Sequence, residues 1–201
     1  MSKRLRQNIW LYVAPQIKGK FDNHGTPIVY DEKTKKHLDP SNIDDKVFIY
    51  ERQVNGWFLN HAARLKKSKY AGFIILMLGI SYIEGVEQYR EGQESRNNSS
   101  RFFKKGLKRI FNLNNIPEYK LSDFYHHARC GLFHTGMTRD KITINGSLPE
   151  TIDFTNDDEI KINQIKFINT IKAEFKSYIT ELKNQTNTTL RTNFNQMFTI
   201  L

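Results

Sequence analysis

The chain has one cysteine, Cys130, in 201 residues. No internal disulfide can form, and a lone thiol fits a reducing, cytoplasmic setting. Long apolar runs are missing too. Ala71 to Ile83 is strongly apolar, but Glu84 ends it after 13 residues, where a membrane-spanning helix needs about 20. It reads as a helix buried inside a protein core. Behind the basic start, Met1 to Arg6, the apolar stretch Ile9 to Ala14 is too short for a signal-peptide core and runs into Pro15. No membrane partner is expected. No internal repeat is visible. Acids are scarce: 21 Asp and Glu face 31 Lys and Arg, a formal net charge of +10. Such a balance favours acidic partners, nucleic acid first among them, and equally suits a soluble basic protein.

Hydrophobic residues at 38% and charged ones at 26% give a chain that folds. The pattern predicts a mainly α protein in three parts: an irregular N-terminal arm over 1–45, a helical domain over 46–185 and a tail over 186–201. In the arm, Asn23 to Pro27 and Asp39 to Asn42 are turn clusters, and Ile28-Val29-Tyr30 suits a short strand. From Asp45, Phe48, Val54, Phe58, Leu59, Ala62 and Leu65 form a helical stripe. A second helix runs from about Tyr70 to Tyr89, apolar all round in its first half and therefore central. Residues 101–113 form a third helix. On it Arg101, Lys104, Lys105 and Lys108 share one face, and Phe103, Leu107, Ile110 and Phe111 share the other. Residues 99–120 hold six basic side chains and one acid, a net of +5. That face is either a solvated surface or a phosphate-contacting one, with Arg139 as a further candidate cation.

A fourth helix spans roughly Leu121 to His134 and stops at Thr135-Gly136, because glycine takes the left-handed turn after a helix end. Two alternating stretches, Lys141 to Ile144 and Thr151 to Phe154, predict a β-hairpin. The last long helix is expected from about Asn156, where Asn156 and Glu159 resemble a capping box. Its stripe of Ile165, Ile168, Ile171, Phe175, Tyr178 and Leu182 follows. The apolar tail Phe194 to Leu201 must dock, on its own core or on a partner subunit.

Reactive groups concentrate in one place. Tyr125 to Gly136 holds three of the six histidines, the single cysteine and Arg129. Arginine offers a permanent charge and a planar fork of donors, which suits phosphate. His134 sits at the carbonyl end of a helix, which favours a cation, while a nearby arginine opposes one; such a balance suits proton transfer. Residues five apart on a helix point about 140° from each other, so Arg129 and His134 converge only on a pocket lying across the helix end. His127 and His134 share a face, as do His126 and Arg129. Gly131 leaves a gap for another backbone. Zinc would suit His126, His127, Cys130 and His134, but a second Cys or His cluster is missing, so no metal or other cofactor is expected. Cys130 is either a nucleophile or, more simply, a small packed residue.

The block Arg129-Cys130-Gly131-Leu132-Phe133-His134 resembles the Arg-x-x-x-x-His motif of HEPN domains. Ile83 to Tyr89, Phe102-Phe103 and Gly136-Met137 extend the likeness over about residues 47–183. The resemblance implies an antiparallel helical bundle that forms a homodimer with motif helices facing each other. It implies a metal-independent endoribonuclease, of the kind found in toxin–antitoxin and phage-defence systems, with RNA as substrate and an antitoxin or regulatory protein as a further partner. Arg129 would hold the scissile phosphate and His134 would move a proton, with His127 and Cys130 in support. Glu84 and Glu87, one helix earlier, would orient Arg129 or His134, or else be plain surface acids. One departure stands out: the residue after the arginine, often Asn, Asp or His in active members, is Cys130. Some members only bind nucleic acid, a nucleotide or a protein. Two further readings are a non-catalytic module of this kind and a regulatory helical protein with no nucleic-acid role. A helix-turn-helix is disfavoured, because no short glycine-turn pair with a polar recognition face stands out.

Overall fold

The computed structural model describes residues 5–201, so Met1 to Arg4 of the basic start lie outside it. The chain divides into two compact units. One takes in the residues up to Asn60, Tyr89–Gln93 and Tyr178–Leu201; the other takes in His61–Gln88 and Glu94–Ser177.

The first unit opens with four strands, β1 (Leu11–Ala14), β2 (Ile17–Phe21), β3 (Pro27–Asp31) and β4 (Lys36–Leu38), in an antiparallel sheet of order β1-β2-β3-β4. Alternation drives it: Val13, Ile17 and Val29 are buried, while Tyr12 is exposed and Lys18 and Tyr30 are half-buried. The β2–β3 turn is fixed by Asp22, whose side chain accepts the N–H groups of His24 and Thr26, each at 2.8 Å. Helix α1 (Ile43–Val54) begins at Asn42, whose side-chain oxygen accepts the N–H groups of Asp44 at 2.8 Å and Asp45 at 3.3 Å. It carries Gln53, which donates to the Val13 carbonyl at 2.6 Å, and Arg52, which pairs with the fully buried Asp31 at 3.3 Å. A wide π turn over Asn55–Leu59 leads into α2 (Asn60–Leu65). The C-terminal helix α8 (Thr188–Met197) and the tail dock in this same unit. Phe194 and Phe198 stack at 5.2 Å, and Tyr50 lies 5.3 Å from Phe194 and 5.5 Å from Phe198.

The second unit is built on α3 (Gly72–Glu91), α4 (Ser99–Phe111), α5 (Glu118–Phe124), α6 (Gly131–Thr135) and α7 (Gln164–Lys183), with a three-stranded sheet of order β5-β7-β6. Its strands are β5 (Ile142–Ile144), β6 (Ile152–Asp153) and β7 (Ile160–Ile162). The core holds Ile75, Leu76, Ile80, Phe103, Phe124, Phe167 and Phe175, all at most 1% exposed. Borders between the two units fall inside α2, whose His61–Leu65 belong to the second unit, inside α3 and α7, and in the loop between Gln93 and Glu94.

Four sequence expectations are corrected. The protein is α+β, 54% helical with two sheets, and not a mainly α bundle. The irregular arm is the four-stranded sheet; its strands are three to five residues long, too short for a strong period-two signal beside the helical stripes that follow. The hairpin after the motif helix is replaced by a mixed sheet, in which β5 runs parallel to β7 and β6 antiparallel to it. Ile160 and Ile162 fall in the stretch expected to be helical from about Asn156 and instead form a strand. The helix starts at Gln164 because Asn163, not Asn156, caps it: its side-chain oxygen accepts the N–H groups of Ile165 and Lys166, both at 3.0 Å. Among the described residues no helix is long and apolar enough to cross a membrane.

Candidate functional site

α5, a wide π turn over Tyr125–Cys130 and α6 make one continuous helix from Glu118 to Thr135. It stops where expected: Gly136 has φ +75°. Wide turns of this kind recur at functional sites. Inside it, the His127 carbonyl accepts the N–H of Arg139 at 2.9 Å. This return of the chain explains Gly131, where an added Cβ would meet the Met137 carbonyl oxygen at 2.6 Å and Arg139 N at 3.1 Å.

Arg129 lies on a ridge with Tyr125 and Phe133, four residues either side. Its guanidinium carbon is 5.6 Å from the Tyr125 ring centre and 5.2 Å from that of Phe133. Its acid partner is Glu84 of α3. One carboxylate oxygen, Oε2, accepts Nη2 at 3.1 Å and Nε at 3.3 Å. The other, Oε1, accepts the Ser95 hydroxyl at 3.0 Å, and Ser95 in turn donates its N–H to Gln88 at 2.9 Å. Among the described residues, Arg129 Nη1 has no protein acceptor. A shallow cavity of about 220 Å³ is lined here by Ile80, Ser81, Glu84, Gly85, Arg129 and Phe133. Burial pushes the Tyr125 phenol above its ordinary range, Arg129 opposes that, and the neighbouring Cys130 adds to it. Cys130, beside it in the chain's π turn, is a free, half-buried cysteine.

The remaining candidates fall elsewhere. His134 is exposed, one residue beyond Phe133, and its side chain makes no hydrogen bond among the described residues; no bond joins it to Arg129. Glu87 does not reach Arg129. It is 2% exposed and serves α4, accepting Arg109 at 3.0 Å with Lys105 at 3.7 Å. The two acids that sequence could not separate are therefore distinct: Glu84 holds the motif arginine and Glu87 anchors the basic helix. Burial and the neighbouring His126 hold the His127 imidazole below its ordinary value, and its Nδ1 is buried without a partner among the described residues. His126 contacts Arg139, not Arg129.

The basic helix is less bare than its sequence. Lys104 and Lys108 both pair with Glu118 at 2.7 Å; these bonds hold the Glu118 carboxyl below its usual range. Arg109 also pairs with Glu174 at 2.6 Å. Arg101 lies over Phe102 at 4.7 Å. With Asn97, Asn98 and Ser100, the four cations Arg101, Lys104, Lys105 and Lys108 line a groove of about 520 Å³. Among the described residues no cluster of three or more His, Cys, Asp or Glu is arranged to hold a metal ion. Sequence reasoning missed Tyr125, Phe133, Gln88 and Ser95. The first two were legible from their i±4 spacing around Arg129; Gln88 and Ser95 carried no signal.

No family model, no curated protein and no solved structure matches the chain.

Proposed function

We propose that the chain is a metal-independent endoribonuclease of the HEPN type, acting as a homodimer through the end of its motif helix. The observation that carries this reading is Arg129. Glu84 fixes its Nε and Nη2 while Nη1 stays free beside a shallow cavity of about 220 Å³. A guanidinium held in this way keeps its orientation and retains donors for an anion. His134 is exposed and unencumbered near the same helix end, and Phe133 and Met137 beside it are 45% and 53% exposed. Covering those two side chains with a second copy would remove apolar surface from water and bring two Arg129 and two His134 side chains into one cleft.

In such a cleft Arg129 binds the scissile phosphate and stabilises the charge that grows on it. One imidazole accepts the proton of the ribose 2′-hydroxyl as that oxygen attacks phosphorus. The 5′ oxygen leaves and takes up a proton, from the second imidazole or from water. The products are a 2′,3′-cyclic phosphate and a 5′-hydroxyl. DNA, without the 2′-hydroxyl, is inert.

A second reading, a non-catalytic module that binds a phosphate-bearing ligand, is favoured by one observation: His134 does not line the cavity that Arg129 lines. The two separate in one experiment. RNA is incubated with pure protein in EDTA, and the ends of any fragments are analysed. The ribonuclease reading expects cyclic phosphate ends, and protection of any linkage whose 2′-hydroxyl is replaced by hydrogen. Binding with no fragments would leave the second reading standing and remove the first.

A further inference from the structure

The outer face of the four-stranded sheet carries an unexplained set of side chains. Cross-strand register places Tyr12 opposite Lys18, Lys18 opposite Tyr30, and Tyr30 opposite His37, a single row across β1 to β4. The opposite face is taken by the buried Val13, Ile17 and Val29, so this row points outward. Trp10, just before β1, extends it: Lys18 Nζ lies 5.2 Å and Lys20 Nζ 5.1 Å from the Trp10 ring centre. Tyr30 and His37 rings meet at 5.2 Å, and Lys18 is 5.9 Å from Tyr30. Tyr12 is 63% exposed and Trp10 43%. One acid intrudes: Glu32 accepts the Tyr12 hydroxyl at 3.1 Å and pairs with Lys18 at 2.9 Å. Lys20 makes no close ion pair among the described residues.

Large aromatic side chains left in water are costly unless something covers them. Here they alternate with ammonium groups across an antiparallel sheet. Rings offer faces for unpaired bases, which stack without regard to sequence, and lysines between the rings neutralise the phosphates that link those bases. A duplex keeps its bases stacked on each other and has none to give. From Tyr12 to His37 the row crosses three strand spacings, about 14 Å, a length for a few nucleotides. We propose that this face is a binding site for single-stranded nucleic acid, held by stacking on Trp10 and Tyr12 and by phosphate contacts to Lys18 and Lys20. Stacking and phosphate contacts are common to RNA and DNA, so strands of both kinds should bind. The proposal does not depend on Arg129 or His134, which lie in the other unit.

The test uses the full chain with Trp57→Phe, which leaves Trp10 as the only indole. Uridine and thymidine oligomers of about ten nucleotides, and a duplex of equal length, are titrated while indole fluorescence and probe anisotropy are read. Both single strands should quench Trp10 and bind; the duplex should bind at least ten-fold more weakly. Trp10→Ala and Tyr12→Ala should each weaken single-strand binding about ten-fold or more; circular dichroism checks their folding. Lys18→Gln with Lys20→Gln should flatten the plot of log affinity against log salt by about 1.4, or about 0.7 for each ammonium group removed from a phosphate. His134→Ala should bind as the parent does, whether or not the parent cuts RNA. Unchanged affinity in both aromatic variants overturns the proposal. So does a change in self-association, rather than in oligomer binding, when either ring is removed, which would assign the face to a second copy of the chain.

Discussion

Two glycines near the candidate site should respond to the same substitution in opposite directions. A Cβ on Gly131 would stand 2.6 Å from the Met137 carbonyl oxygen, 3.1 Å from Arg139 N and 3.2 Å from Thr138 Cα. All three obstacles are backbone, so no side chain can swing away. Overpacking of this kind costs about 1–3 kcal/mol. Displacing the Met137–Arg139 segment also strains the bond from Arg139 N–H to the His127 carbonyl, worth about 1 kcal/mol. Alanine's better helix propensity returns about 0.5–1 kcal/mol. Gly131→Ala should therefore lose about 1–3 kcal/mol, a fall in Tm of roughly 2–12 °C for a chain of this size. At Gly85, in α3, a Cβ meets nothing within 4 Å. There only the propensity gain operates, and Gly85→Ala should gain about 0.5–1 kcal/mol, or roughly 1–4 °C. Thermal and urea unfolding of both variants measure this. A Gly131→Ala protein as stable as its parent would refute the close return of the chain over the motif helix.

Other substitutions probe the charges. Glu84→Gln keeps the shape but weakens the hold on Arg129; it should cost about 1–2 kcal/mol in urea unfolding and lower any RNA cleavage. Glu87→Gln removes the buried carboxylate that accepts Arg109 and Lys105, while Arg109 keeps Glu174; it should cost about 1–2 kcal/mol, with cleavage unchanged. Equal effects of the two on cleavage would contradict the division of labour between them. His127 predicts a pH dependence. Burial and then His126 hold its imidazole below the ordinary 6.5, so the folded state keeps it neutral at a pH where the unfolded chain has taken up a proton. Its contribution to stability is complete above pH 6.5 and shrinks as pH falls below that towards the folded value. Relative to the parent, His127→Phe should gain stability on moving from about pH 7.5 to about pH 5.5, read as a difference in urea midpoints.

Much of the helical architecture was legible because long apolar stripes leave little choice. The central helix read as Tyr70 to Tyr89 is Gly72–Glu91, and the motif helix read as Leu121 to His134 is contained in Glu118–Thr135. The gap left by Gly131 is filled by the backbone of Met137 to Arg139. The sheets were illegible for a physical reason. β1 to β4 draw stability from pairing with one another and from covering one face, and three to five residues per strand carry almost none of that information alone. β5 finds its parallel partner β7 after an interval occupied by β6, a pairing that no local alternation encodes. Glu84 and Glu87 differ by three positions on one helix. What each touches depends on where the motif helix and α4 pack against it, so their roles became distinct only in three dimensions.

Cleavage as proposed rests on His134 transferring a proton, and His134→Ala is the cleanest way to ask. The side chain is exposed and makes no hydrogen bond among the described residues, so its removal should move stability by less than about 0.5 kcal/mol. Single-turnover cleavage of RNA in EDTA, with folding matched by circular dichroism, should fall by about 10²–10⁴ in the variant. Cleavage at the parent's rate by a folded His134→Ala protein would contradict the central claim.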